Sequence, residues 1–118
     1  MDYYFWIKLF QTMKSNATPT TGEIIRKLRE EKELPLRKIA ALLDIDTSFF
    51  SKIERSERKA TKEQIHKLEE IFEVKKDALM IPYLSEKIYY ELSEEDCATE
   101  VLKVAEERVK YEKSKNKK

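Results

Sequence analysis

Apolar residues return every three or four positions along most of the chain, the spacing that gives a helix one inward face. Ile24, Ile25 and Leu28 mark a first helix, opened by Thr20 or Thr21 as N-cap and fading near Glu33. Pro35 disfavours helix through Leu34 and suits the entry to a second helix over about 36–43, with Ile39, Ala40 and Leu43 inward. Asp44 and Ile45 make a turn. Asp46 then caps a third helix reaching about Arg55, with Phe50 and Ile53 inward and Phe49 on the border. Thr61 with Gln64 three residues on has the form of a capping box, opening a fourth helix through Phe72 on Ile65, Leu68, Ile71 and Phe72. A short fifth helix is expected over about 76–81, stopping near Pro82.

The pattern then changes. Leu84, Ile88 and Leu92 repeat at four-residue spacing, and Ser93 is placed as cap of a last helix from Glu94 to about Lys113. Its stripe of Cys97, Val101, Val104, Ala105 and Val109 must pack, either on the monomer core or on a second subunit, and Cys97 is expected to be packed within it. The opening of the chain is a dense apolar run, Tyr3, Tyr4, Phe5, Trp6, Ile7, Leu9 and Phe10. It is too short to span a bilayer and lacks the basic start and small-residue cleavage site of a secretory signal. A short packed helix is the preferred reading; an interfacial anchor and an extension ahead of a natural start at Met13 are the alternatives. The resulting plan has an apolar extension (1–19), a main domain (20–81), a helical extension (82–113) and a basic tail (114–118).

Composition supports an all-α chain. Of 118 residues, only Gly22 is glycine and three are proline, while charged residues make up 40% and hydrophobic ones 41%, the mixture of solvated amphipathic helices. Cys97 is the one cysteine and His66 the one histidine, so neither an intrachain disulfide nor a Cys/His zinc cluster can form; no metal and no cofactor is expected. Glu69, Glu70, Glu94, Glu95 and Asp96 read as solvated helix surface, and His66 as a surface or hydrogen-bonded structural histidine. With no nucleophile, ligand set or phosphate-cradling glycine loop beside the acids, an enzyme is not expected. The net charge of +1 is silent about partners, but its distribution is not. Positions 34–62 hold seven basic against four acidic residues, and positions 63–83 hold three basic against five acidic. A locally positive surface of this kind is compatible with DNA.

Two short helices joined by a tight turn are what major-groove reading requires, because one helix fills the groove and another braces its angle. Ala40 permits close approach of the two, and Ile45 and Ile53 would lock the angle between them. The run from Gly22 to Lys32, then Leu36-Arg37-Lys38-Ile39-Ala40, then Ile45 to Arg55 and Arg58 to Gln64 together resemble the phage-repressor-type helix-turn-helix family, the Cro and lambda-repressor-like group called XRE. Asp44 and Ser56 stand where that family often has glycine.

The resemblance, over 22–81, implies a lambda-repressor-like five-helix DNA-binding domain, here with a C-terminal helical extension. It further implies a homodimeric, cytoplasmic and nucleoid-associated regulator, bacterial or phage-encoded, binding double-stranded DNA at a palindromic operator. Thr47, Ser48, Ser51 and Lys52 are then the candidates for base contact. Arg37, Lys38, Arg55, Arg58, Lys59 and Lys62 are the candidates for phosphate contact, with backbone amides near Leu36 as a further one. Arg29 and Glu54 match a pair that is salt-bridged in relatives, which would orient the reading helix. A dimer interface is expected through Leu79, Ile81, Tyr83, Ile88, Val101, Val104 and Val109. The competing reading is an antitoxin-like interaction module whose C-terminal helices bind a different protein.

Overall fold

The computed structural model describes residues 18–116, which contain six α-helices and, among the described residues, no strand. They are α1 (Thr21–Glu31), α2 (Leu36–Leu43), α3 (Thr47–Glu54), α4 (Lys62–Phe72), α5 (Met80–Leu92) and α6 (Ala98–Lys115). The apolar run 3–10 and the last two lysines of the basic tail lie outside the described residues.

Helices α1 to α4 form where periodicity and caps place them. Thr20 Oγ1 accepts from Glu23 N and Glu23 Oε1 accepts from Thr20 N, so both ends of a capping box are made at the start of α1. Thr61 and Gln64 do the same for α4. Asp46 stands at the N-cap position of α3 but makes no side-chain cap bond, and Pro35 at the start of α2 has none to make. The inward faces meet in one core in which Ile25, Ile39, Phe50, Ile65, Leu68 and Phe72 are fully enclosed, with Phe49 and Ile45 packed at its edge.

The fifth helix differs from the expectation. It begins at Met80 instead of ending at Ile81, and Pro82 sits in its first turn, not beyond its end. A proline is tolerated there because the first amides of a helix have no intrahelical acceptor. The other early amides are all accounted for: Leu79 N and Met80 N donate to Glu69 Oε2 at 2.9 Å, Ile81 N to Asp77 O, and Tyr83 N to Leu79 O. The domain boundary expected after residue 81 therefore falls inside α5. The chain divides into two compact units, the first ending at Glu86 and the second starting at Lys87. Tyr83 and Glu86 belong to the first: Tyr83 OH donates to Ala60 O at 2.6 Å, and Glu86 Oε1 accepts from Thr21 N at 2.9 Å.

In the second unit the last helix starts at Ala98, four residues later than expected. Ser93 does not cap it; its hydroxyl donates to Tyr90 O and so closes α5. Cys97 precedes the helix and is exposed, because the chain is still in a turn there and offers no stripe to join. No residue of α6 is buried.

Candidate nucleic-acid interface

The candidate interface is built on α3. Phe50, Ile53 and Glu54 point into the protein, which leaves Thr47, Ser48 and Lys52 exposed and Ser51 half-buried. Positions 47, 48, 51, 52 and 55 follow one another at helical spacing, so they share the outward face. The turn before α3 carries Asp44 in the left-handed region (φ 59°). Asp44 N donates to Ala41 O and Ile45 N to Ala40 O, which ends α2 sharply. Aspartate tolerates that backbone better than most residues, so the missing glycine leaves the turn intact. Ala40 is buried where α2 meets its neighbours.

Two further contacts fix the attitude of α3. Arg29 Nε and Nη2 grip Glu54 Oε2 and Oε1 at 2.7 and 3.1 Å, and Arg29 Nη1 donates to Leu34 O at 3.0 Å. The hydrogen bond to Glu54 raises the Arg29 pKa above its ordinary value, against the opposing effect of burial. The guanidinium thus ties the end of α1 to the end of α3 with its charge fully retained. The second contact is a close approach: a methyl on Gly22 would lie 2.6 Å from Glu54 O and nearer still to Ile53 O. Ser56, also left-handed (φ 64°), donates its hydroxyl to Thr20 Oγ1 at 2.9 Å.

Basic side chains surround this outward face unevenly. Arg37 and Lys38 are exposed on the first turn of α2, Arg58 and Lys59 are exposed between α3 and α4, and Lys62 is exposed at the start of α4. Arg55 is already engaged: its Nε donates to Glu57 Oε2 at 2.9 Å and its Nη1 to Ser51 Oγ at 3.0 Å. The hydrogen bond from Arg55 holds the Glu57 carboxyl below its usual pKa. A phosphate reaching Arg55 therefore meets a guanidinium already shared with a carboxylate, and the Ser51 hydroxyl already accepts one hydrogen bond. Nothing in the sequence pattern marked Glu57 for this part. Among α1 to α4, the two helices whose N-termini lack a side-chain cap are α2 and α3, and their first amides thus have no side-chain acceptor.

Three expectations need correction. Leu79 and Tyr83 are 1% and 9% exposed and lie in the core of the first unit, so they are not available to a dimer interface. Glu69 is buried rather than solvated, because it serves the start of α5. Ile81, Ile88, Val101, Val104 and Val109 are exposed, and so are Leu102 and Tyr111, which the sequence reading passed over.

A buried two-helix pair, a sharp turn and an outward polar face on the second helix define a helix-turn-helix domain. Residues 25–79 match the family model described as Helix-turn-helix, and this part of the chain is a helix-turn-helix domain of the phage-repressor (XRE) type. That family consists of DNA-binding transcription regulators and is not enzymatic. No curated protein and no solved structure matches the chain. Among the described residues, no helix is long and apolar enough to cross a membrane.

Proposed function

We propose that the protein acts inside the cell as a homodimeric, sequence-specific repressor that sets α3 in the major groove of a pseudo-palindromic duplex. The observation that carries this reading is the division of α3 between an enclosed face (Phe50, Ile53, Glu54) and an outward face (Thr47, Ser48, Lys52) held by Arg29. Hydroxyls at 47 and 48 can donate to or accept from base edges, and Lys52 can donate to guanine O6 or N7. Arg37, Lys38, Arg58, Lys59 and Lys62 attach the backbone of the duplex without specifying sequence. The uncapped amides at the start of α2 suit one phosphate more. Repression follows by occupancy, since a protein lying over promoter elements excludes polymerase with no further surface needed.

Dimerisation is assigned to the exposed apolar residues of the second unit, Ile88, Val101, Val104 and Val109, with Ile81 as a candidate in the first. The same exposure favours one other reading, in which those helices bind a different protein as an antitoxin does while the first unit still holds DNA. Selection of duplexes from a random pool, followed by footprinting, tests the main reading. It predicts two half-sites with centres about 34–36 Å apart, one turn of duplex. Absence of any sequence preference at moderate salt contradicts it.

A further inference from the structure

Away from the reading helix, the end of α4 and the turn before α5 bring together three side chains that sequence spacing did not associate. His66 and Glu69 are one helical turn apart on α4, and Asp77 lies eight residues further on in a left-handed turn (φ 71°). One ligand atom from each, an imidazole nitrogen and two carboxylate oxygens, lies within 4.8 Å of the others. We propose that His66, Glu69 and Asp77 bind one divalent transition-metal cation, zinc or a close relative, at the junction of α4 and α5.

The carboxylate of Glu69 is the fixed member. Its Oε2 accepts from Leu79 N and Met80 N, both at 2.9 Å, which locks the group and directs Oε1 toward His66 Nδ1 at 3.2 Å. Metal-bound carboxylates are characteristically held in this way by hydrogen bonds from behind. Zinc–nitrogen and zinc–oxygen bonds of about 2.0–2.2 Å place neighbouring tetrahedral ligands about 3.3–3.5 Å apart. The His66–Glu69 pair, at 3.2 Å, is close to that spacing, and a movement of the half-buried Asp77 side chain completes the set. Two carboxylates balance the charge of a divalent cation, and the imidazole supplies a nitrogen ligand. One nitrogen and two oxygens suit zinc, cobalt or nickel better than the all-oxygen shells of calcium or magnesium. The His66 side chain is 50% exposed, so a cation can enter and keep water as a further ligand. Binding would clasp α4 to the start of α5 and does not depend on DNA.

The test uses the full chain, stripped with a chelator and titrated with zinc by calorimetry. The expected result is one zinc per chain and a higher melting temperature, with affinity lowered about tenfold or more in His66→Gln and in Asp77→Asn. Both positions are at least partly exposed, and asparagine accepts a left-handed backbone as readily as aspartate does. A second readout needs no variant: His66 is the one histidine, so its imidazole proton resonances identify themselves and should broaden when cobalt is added. No saturable binding at one zinc per chain, variants that bind as well as the parent, or a His66 resonance indifferent to cobalt would each overturn the proposal.

Discussion

At Gly22 the backbone of α1 passes so close to the last carbonyls of α3 that no side chain fits between them. Its φ is not left-handed, so the requirement is space rather than backbone conformation. Gly22→Ala forces two helix backbones apart, at a cost of about 2 kcal/mol or more by urea unfolding, and it should weaken DNA binding in proportion to the tilt of α3. Equal stability of the two proteins would refute the close approach. Two acids, Glu54 and Glu69, occupy positions that the apolar periodicity assigns inward, after Phe50 and Ile53 in one helix and Ile65 and Leu68 in the other. The sequence therefore carried a signal at both, an acid on a core face. Only Glu54 could be paired in advance, through the family resemblance; Glu69 is paired with His66 and with backbone amides, and the amides have no sequence signature.

Glu69 gives a pH dependence whose sign follows from its contacts. Burial pushes its pKa up, but the amides of Met80 and Leu79, then His66 and the amide of Asp77, outweigh burial and hold it below 4.5. A carboxyl with a lowered folded pKa contributes stability that is complete above its unfolded value and is lost as pH falls through the folded value. Glu69→Gln should therefore be less stable than the parent at neutral pH, by about 1–3 kcal/mol. The gap should narrow as the pH is taken below 4.5, the ordinary value for the group. A gap unchanged between pH 7 and pH 3 in parallel denaturation series would contradict this assignment.

Among the elements, α1 to α4 end alike. After each, one amide bonds three residues back and the next bonds five back, with a left-handed residue between helix and loop: Glu33, Asp44, Ser56 and Glu73. Leu34, Ile45 and Val74 then fold onto the core behind three of these turns. None of the four turn residues is glycine, which is why the ends had to be read from Pro35, Asp44 and the loss of periodicity. A side chain in the left-handed region costs about 1–2 kcal/mol. Glu73→Gly, outside α3, should thus raise stability by about 0.5–1 kcal/mol after the greater freedom of the unfolded chain is deducted. A lower melting temperature would count against the strain. The start of α5 was the least legible boundary. Pro82 looked like a stop because its residue type fits both the end of one helix and the first turn of another. What decided between them was Glu69, ten residues earlier, supplying the acceptor. Ser93 misled similarly, since its hydroxyl served the helix behind it rather than the one ahead.

Over the whole molecule, a net charge of +1 conceals a division of labour. The positive surface is concentrated around α2, α3 and the loop to α4, where attachment to phosphates is proposed. The second unit has charge of both signs and an apolar complement with nothing to bury it within α6 itself. That helix was foreseen from its stripe, but its partner was not, because periodicity reveals that a face is apolar and not what covers it. Val104→Asp should leave helicity unchanged, as no core residue is lost, while shifting sedimentation from dimer to monomer and weakening operator binding. A monomeric parent protein would transfer the surface to a foreign partner.

In the proposed mode of binding, α3 reads bases while the cations around it hold phosphates. The most direct measurement compares Lys52→Ala and Lys59→Ala on the selected operator and on a random duplex of equal length. Lys52→Ala should lose about 1–3 kcal/mol on the operator and little on the random duplex, whereas Lys59→Ala should lose similar amounts on both. Equal losses on the two duplexes for Lys52→Ala would contradict base reading at that position.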